Sequence, residues 1–297
     1  MKRVVFCPYL SAMWASMAPL YAEHVAAGDS VTVMSLPYAV RDSAGTPGEY
    51  RTDLGYPVPQ TVASIHVLKE MHPDVIYFHN PYDNINAITQ INPAYYSRKL
   101  AECTDDLTYV PYYTMGGDLE HIIKAPGVRR ADHIIVYSQE QADNYFSVLG
   151  QYSVDWKQRI IIKQRPAPRT DYEMPAEWIR IARGRKLVML GTSISALITR
   201  NAEEFTRIWN TIMQNQNDQI CLLWRPHPLY DATLTALLPS LRPMYRSLML
   251  DFVEYQHGIL DTSWDLERAV TLCTEYLGDP SSVVWFFHEQ NKPVRFI

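Results

Sequence analysis

Glycine is scarce in this chain of 297 residues, only 12 in all, and no group of glycines answers to G-x-G-x-x-G or G-x-x-x-x-G-K-[ST]. A dinucleotide fingerprint and a P-loop therefore have no direct support. A G-x-S-x-G elbow is also missing, which removes the strand-turn-helix setting of a hydrolase serine. The 9 histidines follow no H-E-x-x-H or related spacing, so no metal site is expected. Cys7, Cys103, Cys221 and Cys273 are far apart and form no C-x-x-C, the pattern of buried free thiols in a reducing compartment. A basic excess is lacking too: the formal net charge of -5 speaks against a nucleic-acid-binding surface. No apolar run approaches the roughly 18–20 residues needed to span a bilayer. The opening MKRVVFCPYL meets Pro8 too early for a signal-peptide core. A cytoplasmic protein with neither metal nor resident cofactor is expected.

What the chain does contain is an alternation of apolar strands and amphipathic helices. KRVVFCPY, SVTVMSLPY, DVIYFHNPYD, LTYVPYYTMGG, DHIIVYSQ and QRIIIKQRP read as strands, with helical segments between them. Continuous apolar strands of this kind belong to parallel sheets covered on both faces. RPAPRTDYEMPAEWIRIARGR, with its three prolines, reads as a connection ending in a short helix. A second series follows: KLVMLGTS, QICLLWRPHP, LMLDFVE and TEYLGD as strands, SWDLERAVTLC as a helix, and a last strand KPVRFI with no helix after it. The expectation is an α/β protein of two Rossmann-like domains, residues 1–165 and 186–297, joined by a linker at 166–185. The second domain is expected to be shortened.

In open parallel sheets ligands bind beyond the carboxyl ends of the strands, so the polar residues at those ends are the candidates. In the second half they are Ser193 in LGTSIS, Arg225 and His227 in WRPHPL, and Asp279, Ser281 and Ser282 in GDPSS. Asp279 reads as a helix N-cap with Pro280 in a tolerated position. The stretch is either a capped helix or an anion site, because a first helical turn leaves backbone N–H groups unpaired beside two hydroxyls. A guanidinium, an imidazole and hydroxyls gathered at three strand ends suit a diphosphate. In the first half, His79, Asn80 and Asp83 in FHNPYDN offer a general base oriented by a carboxylate, or plain turn chemistry. Gly116 and Gly117 suit a tight turn, and Glu120 and His121 are weaker candidates.

RPHP followed by LGDPSSVVWFFHEQNKPV resembles the C-terminal domain of CDP-glycerol glycerophosphotransferases, the teichoic-acid polymerase and primase family. PYLSAMWASMAPLYAEH, HNPYDNINAITQINPAYYSRKL and LTYVPYYTMGG look, more loosely, like segments of a bacterial subgroup. The resemblance implies a GT-B architecture with the active site in the cleft between the domains. It also implies a CDP-activated donor such as CDP-glycerol, with His227 and Arg225 on the diphosphate, Ser281 and Ser282 on phosphate oxygens, and Asp279 as cap and positioner. The acceptor would be a cell-envelope glycan or polyol phosphate, compatible with peripheral association at the inner membrane face. Three departures stand against simple carry-over. PYYTMGG lacks the histidine of the family's W-H-G segment, Ala15 replaces the carboxylate of M-W-D-S, and the helix that crosses back to the first domain is expected to be missing. His79, oriented by Asp83, is the expected base. The rival readings are a non-catalytic nucleotide-binding or assembly protein, and a GT-B sugar transferase or epimerase using a UDP-sugar. Nucleobase, acceptor and oligomeric state are not legible in the sequence.

Overall fold

A computed structural model describes residues 1–112 and 119–297. Gly116 and Gly117 lie outside the described residues. The chain divides into two compact units: residues 1–166 apart from 42–44, and residues 167–297 together with 42–44.

The first unit contains β1 (Arg3–Cys7), β2 (Ser30–Ser35), β3 (Tyr38–Val40), β4 (Thr61–Val62), β5 (Val75–Phe78), β6 (Thr89–Ile91), β7 (Leu107–Tyr109), β8 (His133–Val136) and β9 (Ile160–Ile162). Among the described residues, seven of these form a sheet in the order β4-β2-β1-β5-β7-β8-β9, with every pairing parallel. The small antiparallel pair β3–β6 stands apart from it. All four residues of β5 and the last four of β1 are buried, as strands covered on both faces must be.

The second unit contains β10 (Lys186–Thr192), β11 (Ile220–Pro226), β12 (Gly258–Leu260), β13 (Glu275–Gly278) and β14 (Val294–Phe296), in the order β12-β11-β10-β13-β14, again all parallel. Side chains alternate across this sheet. Val188, Leu190, Leu222 and Trp224 pack on one face with Phe205, Ile208, Tyr245 and Phe252. Leu187, Met189, Cys221 and Leu223 pack on the other with Trp178, Val270 and Phe287. Counted by parallel strands alone, both units run 3-2-1-4-5, and the first continues to 6 and 7. This is the doubly wound order, whose reversal lies between the first and fourth strands. It separates β1 from β5 in one unit and β10 from β13 in the other.

One segment departs from the sequence expectation. LMLDFVE is part of the helix Arg242–Glu254, because Tyr245, Leu248 and Phe252 recur at helical spacing and are buried on one face. The strand of that region is Gly258–Leu260, just beyond it. The short helix expected at the end of the connection is Ala176–Ala182, which packs Trp178 and Ala182 into the core of the second unit.

At the reversal point of the second unit Gly191 faces Gly278 across the strands. A Cβ on Gly278 would collide with the Gly191 carbonyl, and one on Gly191 would collide with the Tyr276 hydroxyl. Substituting Gly278 by Ala is expected to destabilise the protein by about 1–3 kcal/mol, the usual cost of overpacking. Urea unfolding would read this as a lower midpoint at unchanged slope; an unchanged midpoint would refute the close approach.

Candidate functional site

Beyond β10 the chain turns at Ser193, whose hydroxyl accepts the Ala196 N–H at 3.1 Å and caps the helix Ile194–Arg200. Beyond β11, His227 adds one more rung to the ladder, its N–H donating to the Thr192 carbonyl at 3.0 Å. Beyond β13, Asp279 donates its N–H to the Gly191 carbonyl at 3.1 Å. Register does the gathering: Thr192 pairs with Pro226 and Gly191 with Gly278, so Ser193, His227 and Asp279 each stand one residue past a paired position. The structure thus brings three of the expected residues to one end of one sheet. Ser281 joins them through Tyr276, whose hydroxyl lies 3.3 Å from the Ser281 oxygen and donates to the Asp279 carbonyl at 2.6 Å.

His227 has a defined tautomer. Its Nδ1 accepts the Leu229 N–H at 3.1 Å, which leaves the ring proton on Nε2. Burial pushes its pKa down to about 4, so the ring is neutral at physiological pH and Nε2–H is a hydrogen-bond donor. No partner for Nε2 stands among the described residues.

Two expectations for this group are corrected. Asp279 caps no helix: the following helix starts at Val283. Its carboxylate instead accepts the Ser193 N–H at 2.7 Å and pairs with Arg207 at 2.9 Å. Arg225 is buried and committed elsewhere. It pairs with Asp261 and donates to the Ser263 carbonyl at 2.7 Å, so it has a structural partner in place of a diphosphate. Ser282 immediately precedes the Val283–Glu289 helix, and its hydroxyl makes no capping bond.

Sequence reasoning missed Arg207. It lies on the helix Glu203–Gln214, bonded to Glu204 as well as to Asp279. A signal existed: Glu204 shares helical spacing with the buried Ile208, Thr211 and Ile212, and a carboxylate on a buried face calls for a cation one turn away.

In the first unit His79 follows β5 and is wholly buried. Its Nε2 accepts the Tyr9 N–H at 3.1 Å, so the proton sits on Nδ1, which has no hydrogen-bond partner among the described residues. Burial pushes its pKa down to about 3. A general base needs a free lone pair, and in this arrangement the lone pair of His79 is already in use. Nor does Asp83 orient it. The Asp83 carboxylate accepts the Ser97 N–H at 2.7 Å and its hydroxyl at 2.8 Å. Asn80 makes the expected turn, its side-chain oxygen accepting the Tyr82 N–H at 3.0 Å. His121 lies in the short helix Glu120–Ile123, which Glu120 begins.

Among the described residues, no group of three or more His, Cys, Asp or Glu could hold a metal ion. No helix among them is long and apolar enough to cross a membrane.

No family model and no curated protein matches the sequence. Solved structures do. Staphylococcus aureus MnaA in its structure with UDP aligns over 99% of this chain and 78% of its own, at 14% identity and a TM-score of 0.58. The Neisseria meningitidis UDP-GlcNAc 2-epimerase bound to UDP-GlcNAc aligns over 99% of this chain and 82% of its own, at 10% identity and a TM-score of 0.57. The wall teichoic acid polymerase TagF with CDPG aligns over 100% of this chain and 69% of its own, at 12% identity and a TM-score of 0.54. What is shared at such identities is the fold. The chain is an α/β protein of the GT-B type.

Because His79 is neutral when folded and protonates near its ordinary 6.5 when unfolded, the unfolded chain binds the extra proton as pH falls toward about 3. Stability conferred by the neutral ring is full above that upper value and is lost below it. The expected slope from this residue is up to about 1.4 kcal/mol per pH unit. Replacing His79 by Gln, whose side-chain oxygen can take the place of Nε2, should remove that contribution. Urea unfolding at stepped pH measures it; identical slopes in both proteins would mean that His79 titrates freely when folded.

Proposed function

We propose that this chain is a nucleotide-dependent enzyme of the GT-B type whose second unit binds the diphosphate of an activated donor. The observation that carries this reading is the convergence of Ser193, His227 and Ser281 at the carboxyl end of the second sheet, where its strand order reverses. Nε2–H of His227 and the hydroxyl of Ser281 are neutral donors suited to phosphate oxygens, and Ser282 follows directly. Donors fixed before the ligand arrives cost little reorganisation when charge builds on the leaving nucleotide. The same kind of position serves ligands in other open parallel sheets.

For the reaction we favour transfer of a glycerophosphate or related phospho-polyol unit from a CDP-activated donor to a polyol-phosphate or glycan acceptor. The RPHP and GDPSS segments support it, as does the likeness to TagF. An acceptor hydroxyl would attack the distal phosphorus, the P–O bond to the nucleotide would break, and CMP would leave. The likeness to proteins solved with UDP and UDP-GlcNAc supports a second reading, a UDP-sugar transferase or epimerase. The proposed site acts at the diphosphate in either case.

Calorimetric titration with CDP, UDP, CDP-glycerol and UDP-GlcNAc tests the site. At least one should bind, and His227→Ala should weaken it by about tenfold or more, the loss of one hydrogen bond to a charged group. Failure to bind any of the four would sink the reading. Incubating the preferred donor with candidate acceptors separates the chemistries: CMP release marks phospho-polyol transfer, UDP release marks sugar transfer, and an inverted sugar still joined to UDP marks epimerisation.

A further inference from the structure

A carboxylate is an unexpected neighbour for a diphosphate, and Asp279 stands one residue past the strand end where the proposed site lies. Like charges a few ångströms apart in a half-buried site weaken binding by about tenfold to a hundredfold. Yet Asp279 is only 4% exposed and its Oδ2 holds the Ser193 N–H, so the carboxylate is built into the loop that shapes the site.

The structure supplies its counter-charge. Arg207 Nη2 lies 2.9 Å from Asp279 Oδ1, and the same guanidinium bonds to Glu204 through Nε at 2.8 Å and through Nη2. Glu204 is wholly buried, and Arg200 approaches it at 3.8 Å from the preceding helix. Two carboxylates and two guanidiniums sum to zero. The other titratable groups near the cluster are His227, which burial keeps neutral, and the phenols Tyr230 and Tyr276. Burial raises the pKa of both, to about 12 for Tyr276, with the neighbouring carboxylates adding to it, so both stay neutral. Without Arg207 the cluster would carry net negative charge beside the ends of β10 and β13.

We propose that Arg207 is a positioning residue for the nucleotide site: it neutralises Asp279 and holds its carboxylate on Ser193, so that the clasp between β10 and β13 frames a diphosphate without repelling it. The inference rests on the diphosphate reading of the second unit and adds a residue that no motif announced. On this proposal Arg207 acts through Asp279, with its Nη1 buried and making no hydrogen bond among the described residues. Glu204 fixes the guanidinium from the far side, as bidentate partners do.

UDP-GlcNAc is a suitable probe, because its diphosphate is esterified at both ends and keeps a constant charge through the neutral range. Its affinity would be measured on the full chain at about pH 8 and about pH 6, both above ordinary carboxyl titration, so that only a carboxyl pushed up by unpaired burial changes charge between them. If UDP-GlcNAc is not the preferred donor, CDP-glycerol, likewise diesterified, takes its place. The wild type should bind with little pH dependence arising from the cluster. Arg207→Met should lose about tenfold or more at the higher pH. Much of that loss should be recovered at the lower pH, as the unpaired buried carboxylate takes up a proton. Arg207→Lys, which keeps the charge but not the two-pronged bond to Glu204, should lose less than Arg207→Met. In the double variant Arg207→Met with Asp279→Asn, affinity should return and stay flat with pH.

Each outcome decides something. Binding of no nucleotide by the wild type would remove the diphosphate reading itself. Normal binding by folded Arg207→Met at both pH values would overturn the role of Arg207 while leaving that reading intact. Equal loss in Arg207→Lys and Arg207→Met, with no recovery in the double variant, would also overturn it, because the guanidinium would then be needed for contact and not for charge. If Arg207→Met alone does not fold, the lysine and double variants carry the same decision.

Discussion

In a doubly wound sheet the two central strands part company at their carboxyl ends, and the chain beyond each turns away to a different face. The first backbone N–H past the ladder then has no strand to donate to, and a buried N–H without an acceptor is costly. Both units of this protein meet the constraint in the same way. A side chain at the end of the fourth strand reaches across and accepts the N–H beyond the first. In the second unit Asp279 accepts from Ser193, 86 residues away, and in the first His79 accepts from Tyr9, 70 residues away. These bonds hold the crevice where ligands of such folds sit, and the geometry of the candidate site depends on them.

The two clasps differ in charge. The imidazole of His79 is kept neutral by burial alone and needs no counter-ion. The carboxylate of Asp279 pairs with Arg207, which is joined in turn to Glu204 and, through it, to Arg200. One clasp is self-sufficient, while the other is the visible part of a buried electrostatic cluster. His79, expected as a base, thus acts on backbone, and Asp279, expected as a cap and positioner, does so on a strand end in place of a helix. A histidine or aspartate at a strand end is as useful to the loop geometry as to chemistry, and spacing does not separate the two uses.

The sheets were legible because each central strand is a continuous apolar run followed by a helix, a pattern that parallel pairing requires. The small pair β3–β6 was not legible, since three-residue strands carry too little periodicity to stand out. LMLDFVE misled because a run of apolar residues looks the same for a buried strand and a half-buried helix until its length and partners are known. At the site, the residues at the strand ends could be read from order alone. Their partners could not: Arg225 finds Asp261 and Asp83 finds Ser97 only through tertiary folding. Arg207 was hidden because helix surfaces are full of arginines, and only the burial of Glu204 marks this one out.

The glycine pair at the reversal point has a consequence for how such a sequence can drift. Gly191, Gly278 and Tyr276 fill one another's space, so a larger residue at either glycine is blocked until something opposite has given way. Tyr276 in turn ties the Asp279 carbonyl and the Ser281 hydroxyl into place. Trimming the tyrosine to admit a side chain would also loosen the loop at the proposed site. Single substitutions along that route pass through a less stable or less ordered intermediate, and the three positions are therefore bound to change together or not at all.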